Sequence, residues 1–398
     1  ATALSAEITF GSWGRALWVT AANGGYTEPN KDGTTSFKSE TVTDVHQSWG
    51  GAAPRTALAV SGNSDNVGFK LDIHGNATGL GQGDNAYIWV KPIDQVKLSV
   101  GRMDDTTLRG DCVNGLWDWD RIGAVDGDEG WTFGGYFQSK GVNVQATPVE
   151  GLLIGAAIPL SLSENNAGKD DSEYWDANKG VGKDSGKTLS GVYAHGTAYL
   201  GAYTIEGVGT IKAALKTLPK KEVEKDGNKE EKSQTEIAAA FDLTAVENLF
   251  VSVGAKINTL KEANTRNINA YARYNVNEQL TVHARVGTKL NAQDKKDEKD
   301  PKKDGQFGFL FGAGIDYNLD GGIGLFADVR YANGIYKNDS SADKKDCLTI
   351  GAGVTKGFSN GKIGVAFEGA TNNGGRYQTN EKSDGFSWEI PVKFEYWF

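Results

Sequence analysis

Residues 386–398 read FSWEIPVKFEYWF. Phe386, Trp388, Ile390, Val392, Phe394, Tyr396 and Phe398 alternate with Ser387, Glu389, Pro391, Lys393, Glu395 and Trp397. A period of two belongs to an extended strand, whose successive side chains point to opposite faces. One face here is wholly apolar and aromatic, and the other is largely polar. Ends of soluble domains are usually frayed and polar. A strand of this kind suits a wall with lipid on one side and water on the other.

The same alternation recurs upstream. Val67, Phe69, Leu71 and Ile73 face away from Lys70, Asp72 and His74, and Leu249, Val251, Val253, Ala255 and Ile257 from Phe250, Ser252 and Lys256. Residues 268–276, 280–286, 307–319 and 323–331 repeat it. Short turns are expected near 61–65, 92–94, 147–151, 200–202, 244–248, 275–279, 318–322 and 359–361. Long polar loops are expected at 21–51, 75–83, 104–130, 163–187, 217–233, 258–266, 291–306, 333–346 and 371–385. Tight and elaborate connections thus alternate, as in membrane barrels with short periplasmic turns and long extracellular loops.

Composition agrees. The 398 residues include 53 Gly and 10% aromatics but 8 Pro, 2 Cys and 1 Met; net charge is −9 and mean hydropathy −0.44. No run approaches the roughly 18 apolar residues of a membrane helix, whereas a membrane strand needs about 9–11, half of them free to be polar. In lipid an extended chain can satisfy its backbone only as a closed barrel. The expected fold is therefore all-β, a transmembrane antiparallel β-barrel of about 18 strands (16 as the alternative), formed by residues 1–398 as a single domain. A soluble β-sandwich would leave one core to absorb far too many strands.

Ala1-Thr2-Ala3 carries no charged or apolar leader, which fits a mature exported chain. Two cysteines suit that setting, and the acidity disfavours nucleic acid as a partner. Tyr274, Tyr317, Tyr331, Tyr396 and Phe398 fall near strand ends, where an aromatic girdle belongs. By parity the pore wall receives Lys70, Lys256, Arg273, Arg285, Asp328 and Arg330, with Asp72, Glu368, Lys393 and Glu395. Barrels of 16–18 strands hold a water-filled lumen.

Chemistry of other kinds finds little support. GVGKDSGKT at 180–188 lacks the spacing, the preceding strand and the following helix of a phosphate-binding loop. The acidic turn at 126–129 lacks the ligand spacing of a calcium site. His46, His74, His195 and His283 show no metal-ligand spacing, and no nucleophile is paired with a base. No catalytic residue, metal or cofactor is expected.

The stretch NAYIWVKPIDQVKLSVG at 85–101, followed by DDTTLRGD, resembles outer-membrane barrel proteins of spirochaetes such as Treponema. GRALW at 14–18 and the terminal Phe398 are compatible with that resemblance. Phe398 also resembles the signal read by the outer-membrane assembly machinery of diderm bacteria. The likeness implies a porin in outer-membrane lipid, passing small hydrophilic solutes and ions, with a homotrimer expected by porin analogy.

In general porins the loop at 104–130 folds into the lumen. Here it would offer Asp104, Asp105, Asp111, Asp118 and Asp120 with Arg109, Arg121, Trp117 and Trp119, facing Lys70, Arg273, Arg285 and Arg330 across the pore. Cys112 in that loop and Cys347 would either bridge across the lumen or stay as two thiols. Two other functions stay open: a saccharide-selective porin using Trp89, Trp117, Trp119 and Tyr271 as a stacking track, and a surface adhesin or structural barrel acting through loops such as 216–232.

Overall fold

The computed structural model describes residues 7–46, 55–76, 79–104, 139–159, 197–225, 228–260, 266–292, 306–337, 346–371 and 386–398. In chain order the strands are β1 (Glu7–Pro29), β2 (Thr35–His46), β3 (Arg55–Asn63), β4 (Val67–Asn76), β5 (Gly79–Ile93), β6 (Val96–Met103), β7 (Ser139–Ala146), β8 (Leu152–Pro159) and β9 (Ala198–Ile205). There follow β10 (Gly209–Lys225), β11 (Asn228–Leu243), β12 (Leu249–Asn258), β13 (Arg266–Asn275), β14 (Leu280–Ala292) and β15 (Gln306–Leu319). After β16 (Ile323–Ala332) comes the one-turn helix α1 (Gly334–Lys337), then β17 (Cys347–Phe358), β18 (Gly361–Thr371) and β19 (Phe386–Trp397).

Every strand from β3 to β19 pairs antiparallel with the next, and β1 closes the ring against β19, Arg15 opposite Glu395. The other edge of β1 takes β3 along its first half (Arg15 opposite Arg55) and β2 along its second (Leu17 opposite His46). β2 and β3 therefore share one place, and the nineteen segments make a closed barrel of 18 strands. Among the described residues every strand but β2 pairs on both sides, so closure removes the free sheet edges of the ring. The last peptide joins in: Phe398 N–H donates to Ser12 O at 2.7 Å.

The two faces separate as alternation dictates. Phe10, Ile88, Val100, Val253, Phe311, Ile315, Phe367 and Phe394 are exposed on the convex side, where lipid would cover them. Asp72, His74, Lys212, Asp242, Arg285, Arg330, Glu368, Glu389 and Lys393 are buried on the concave side.

Several connections depart from expectation. The turn expected at 200–202 lies inside β9; the chain reverses at 206–208, where Val208 N–H donates to Ile205 O at 3.0 Å and Gly207 takes φ 68°. Gly201 is an ordinary strand residue opposite Ile154. The loops expected at 21–51, 75–83 and 217–233 are largely strand. β1–β2 pairs out to Pro29 opposite Thr35, β4–β5 to Asn76 opposite Gly79, and β10–β11 to Lys225 opposite Asn228. Beyond the membrane a hairpin needs no apolar face, so its ladder continues after hydrophobic alternation stops.

Candidate functional site

Inward residues fall into rows, because directly opposed residues of neighbouring strands share a face. One row runs Asp242, Ser252, Tyr271, Arg285, Gly312, Arg330, Thr349. The next row toward the tight turns runs Arg273, His283, Gly314, Asp328, Gly351, Glu368, Glu389. Arg285 and Arg330 of the first row thus stand beside a second row that begins with Arg273 and His283 and ends with Asp328, Glu368 and Glu389. Such juxtaposed charges set up a field across a water-filled lumen.

β15 makes room for this. Its outward face is aromatic (Phe307, Phe309, Phe311), while inward Gly308, Gly312 and Gly314 leave gaps. A Cβ on Gly312 would stand 3.4 Å from Arg330 Cγ, and one on Gly314 2.8 Å from Asp328 Cβ. The long side chains of β14 and β16 occupy the space that β15 vacates. His283 Nδ1 lies 3.6 Å from an Asp316 carboxylate oxygen, and its ring is 6.5 Å from that of Tyr271.

α1 folds inward over the long-loop end of this sector. Tyr336 is fully buried and packs with Leu310, Ala332, Cys347 and Ala370. It sits over two glycines: a Cβ on Gly287 would meet Tyr336 Oη at 2.8 Å, and one on Gly308 the Tyr336 N and Cα at 2.9 Å. Lys289 Nζ donates to Tyr336 O at 2.5 Å and lies 4.6 Å from the ring centroid. At the other end of that connection, Asp346 accepts from Gly334 N–H at 3.0 Å and from the Tyr331 hydroxyl. The loop expected at 333–346 therefore starts by turning into the barrel.

A second charged cluster lies on β1, β3, β4 and β5. Trp13 has the guanidinium carbons of Arg15 and Arg55 each 5.2 Å from its ring centroid, and His74 edge-on at 5.4 Å. Arg55 donates to Asp84 at 2.9 and 3.0 Å and through Nε to His74 Nδ1 at 3.1 Å. Beside it, Asn85 donates to Asp72 at 2.6 Å and accepts from Asp104 N–H at 3.0 Å.

All six residues assigned to the pore wall by parity face inward. Arg273, Arg285, Asp328 and Arg330 come together on β13–β16, while Lys70 on β4 and Lys256 on β12 stand apart. Of the expected constriction only Asp104 is described. Asp105, Arg109, Asp111, Cys112, Trp117, Asp118, Asp120 and Arg121 lie outside the described residues. Cys347 is buried, with Sγ 2.8 Å from Thr371 O. Sequence reasoning did not single out Arg15, Arg55, Lys212 or Tyr336. For Arg15 a signal existed, since Trp13, Arg15 and Leu17 alternate with Ala16 and Trp18. Among the described residues no group of three His, Cys, Asp or Glu is placed to hold a metal.

The closed ring, apolar outside and charged inside, is the architecture of an outer-membrane β-barrel. The profile of the OmpA-like transmembrane domain matches residues 227–362. Over 98% of each chain the fold resembles Pseudomonas aeruginosa OccK5 (OpdH), with a TM-score of 0.54 at 11% identity. Outer-membrane expressed OmpT of Vibrio cholerae aligns over 100% of this chain and 99% of its own (0.45, 12%). Salmonella typhi OmpF, solved in complex with daunomycin, aligns over 99% and 97% (0.44, 13%). No curated protein matches the sequence. At these identities the likeness is one of fold.

Proposed function

We propose that the chain is an outer-membrane channel for passive diffusion of small hydrophilic solutes and ions, and not an enzyme. The observation that carries this reading is an 18-place ring with charged side chains on its inner face, on β1, β4, β10, β14, β16, β18 and β19. About 8 strands enclose only their own side chains, whereas 16–18 leave an aqueous path. Flow runs down a concentration gradient, and the wall sets limits by size and charge.

Six residues assigned to that wall are Lys70, Lys256, Arg273, Arg285, Asp328 and Arg330. The segment 104–130 is assigned the narrowing role, with Asp104 at its root. Single-channel recording of folded protein in planar bilayers tests the reading. Discrete conductance steps are expected; their absence from protein shown to be folded would refute it.

A saccharide-selective channel is favoured by one observation. Trp89 and Tyr271 face inward, Trp89 between Lys91 and Lys97 at 5.7 and 5.6 Å. Block of conductance by added sugars is the expected result for that variant of the reading.

A further inference from the structure

We infer that Arg285 and Arg330 hold a monovalent, chloride-sized anion in the barrel wall, which biases passage toward anions; the bias rests on the channel reading, the site does not. Between β13 and β16 lies a cavity of about 20 Å³, bordered by Tyr271, His283, Arg285, Leu310, Asp328 and Arg330. That is room for one water-sized species. Arg285 is 5% exposed, and among the described residues none of its Nε, Nη1 and Nη2 has a hydrogen-bond partner. A guanidinium does not shed its proton at any working pH. It cannot escape the cost of burial by becoming neutral, as a buried lysine can. A buried charge of this kind is balanced by an opposite one.

Among the described residues the wall around it supplies no hydrogen-bond acceptor to the guanidinium; the one carboxylate on the cavity's border, Asp328, makes no hydrogen bond to it. Tyr271 and Gly312 are its cross-strand neighbours. Asp316 is close to His283 instead. Arg330, two strands away on the same row, adds a second positive charge to the cavity's border. Asp328 on that border opposes anions and weighs against a multiply charged one, which would feel its repulsion more than a halide would. Leu310 borders the cavity and belongs to the cluster that packs with Tyr336. Small size, two guanidiniums and one carboxylate together select a single monovalent anion.

The test uses the whole chain. Crystals soaked in sodium bromide should show an anomalous peak within about 3.5 Å of the Arg285 guanidinium nitrogens. That peak should vanish in Arg285→Gln. In a potassium chloride gradient across a planar bilayer, the same variant should lose anion preference by about threefold at low ionic strength, where screening is weak. No bromide peak in the wild type overturns the site, whatever the fate of the variant. A peak with unchanged permeability in Arg285→Gln overturns the bias on passage. Conductance without either effect would sink this inference and leave the channel reading standing. A bromide peak in a barrel that never conducts would do the reverse.

Discussion

On β10–β12 the barrel wall pairs its buried cation Lys212 with Asp242, whereas on β14 the guanidinium of Arg285 has no hydrogen-bond partner among the described residues. Lys212 and Asp242 form an ion pair with side chains 9% and 10% exposed, and Ser252 Oγ donates to Asp242 at 2.6 Å. Asp242, Ser252, Tyr271 and Arg285 are successive members of one inward row. Three strands along from Asp242, Arg285 is equally buried, with no hydrogen-bond partner for its guanidinium among the described residues. Around the first group the wall is small and apolar, with Ala202, Ala214 and Ala238. Around the second it is glycine, arginine and histidine. The lipid side of both sectors is the same alternating apolar surface. Lipid constrains only that surface, so the inner face is free to hold structure in one place and binding capacity in another.

The largest effect expected from this contrast is on stability. Lys212→Met leaves Asp242 buried with Ser252 but no cation. Removing one partner of a buried pair costs about 3–5 kcal/mol, while replacing both by apolar residues is often nearly neutral. Guanidinium titration of barrels refolded in vesicles should show a large loss for Lys212→Met and recovery of most of it in Lys212→Met/Asp242→Leu. With urea as denaturant in halide-free buffer, Arg285→Gln should instead leave stability unchanged or higher, because without an anion the guanidinium has no hydrogen bond among the described residues to lose. If Arg285→Gln proves as damaging as Lys212→Met, the two sectors do not differ as described.

The seat of α1 comes second. Gly308→Val would drive side-chain carbons into the Tyr336 backbone, and overpacking of this kind costs about 1–3 kcal/mol. The expected outcome is displacement of α1 and exposure of Cys347, which packs beneath Tyr336. Maleimide labelling followed by mass spectrometry of the Cys347 peptide should run faster than in wild type. Unchanged labelling would mean that Tyr336 is not what covers the thiol. A valine at Gly201 on the other sector meets no such obstacle, the nearest atom to its Cβ being Leu153 O at 3.8 Å.

The sequence reads well wherever lipid writes the pattern. β12 to β16 and β19 were legible because a membrane-facing strand must place an apolar residue at every second position, and that parity assigned Arg285 and Arg330 to the inner face. Parity stops there: it gives a face, not a partner, so nothing in the sequence distinguishes the paired Lys212 from Arg285. Gly201 resembled a turn because glycine marks both turns and strand positions. Gly308, Gly312 and Gly314 carry the seat of α1 and the room for the arginines, yet in sequence they read only as the small half of an alternation. The four residues of α1 are too few to show a helical period. The outer parts of β10 and β11 carry charge on both faces, so hydrophobic alternation passes over them even though their ladder is intact.

Those outer parts give the smallest expected effect. Lys229 Nζ lies 2.7 Å from Glu222 on the β10–β11 extension, the same lysine–carboxylate chemistry as Lys212–Asp242. Here the side chains are 69% and 56% exposed. Water solvates each ion about as well as its partner does, and holding two long side chains in one geometry costs entropy. Exposed pairs therefore contribute about 0.2–1 kcal/mol or less. Lys229→Ala should shift the guanidinium midpoint only slightly, and raising salt should erase the shift, since screening acts on exposed charges. The Lys212→Met loss should persist in high salt. A salt-insensitive loss at Lys229 would place that hairpin against other protein rather than in solvent. A salt-sensitive loss at Lys212 would mean that water reaches the wall pair, and the contrast between closed and open charge would then lie in solvation rather than in partners.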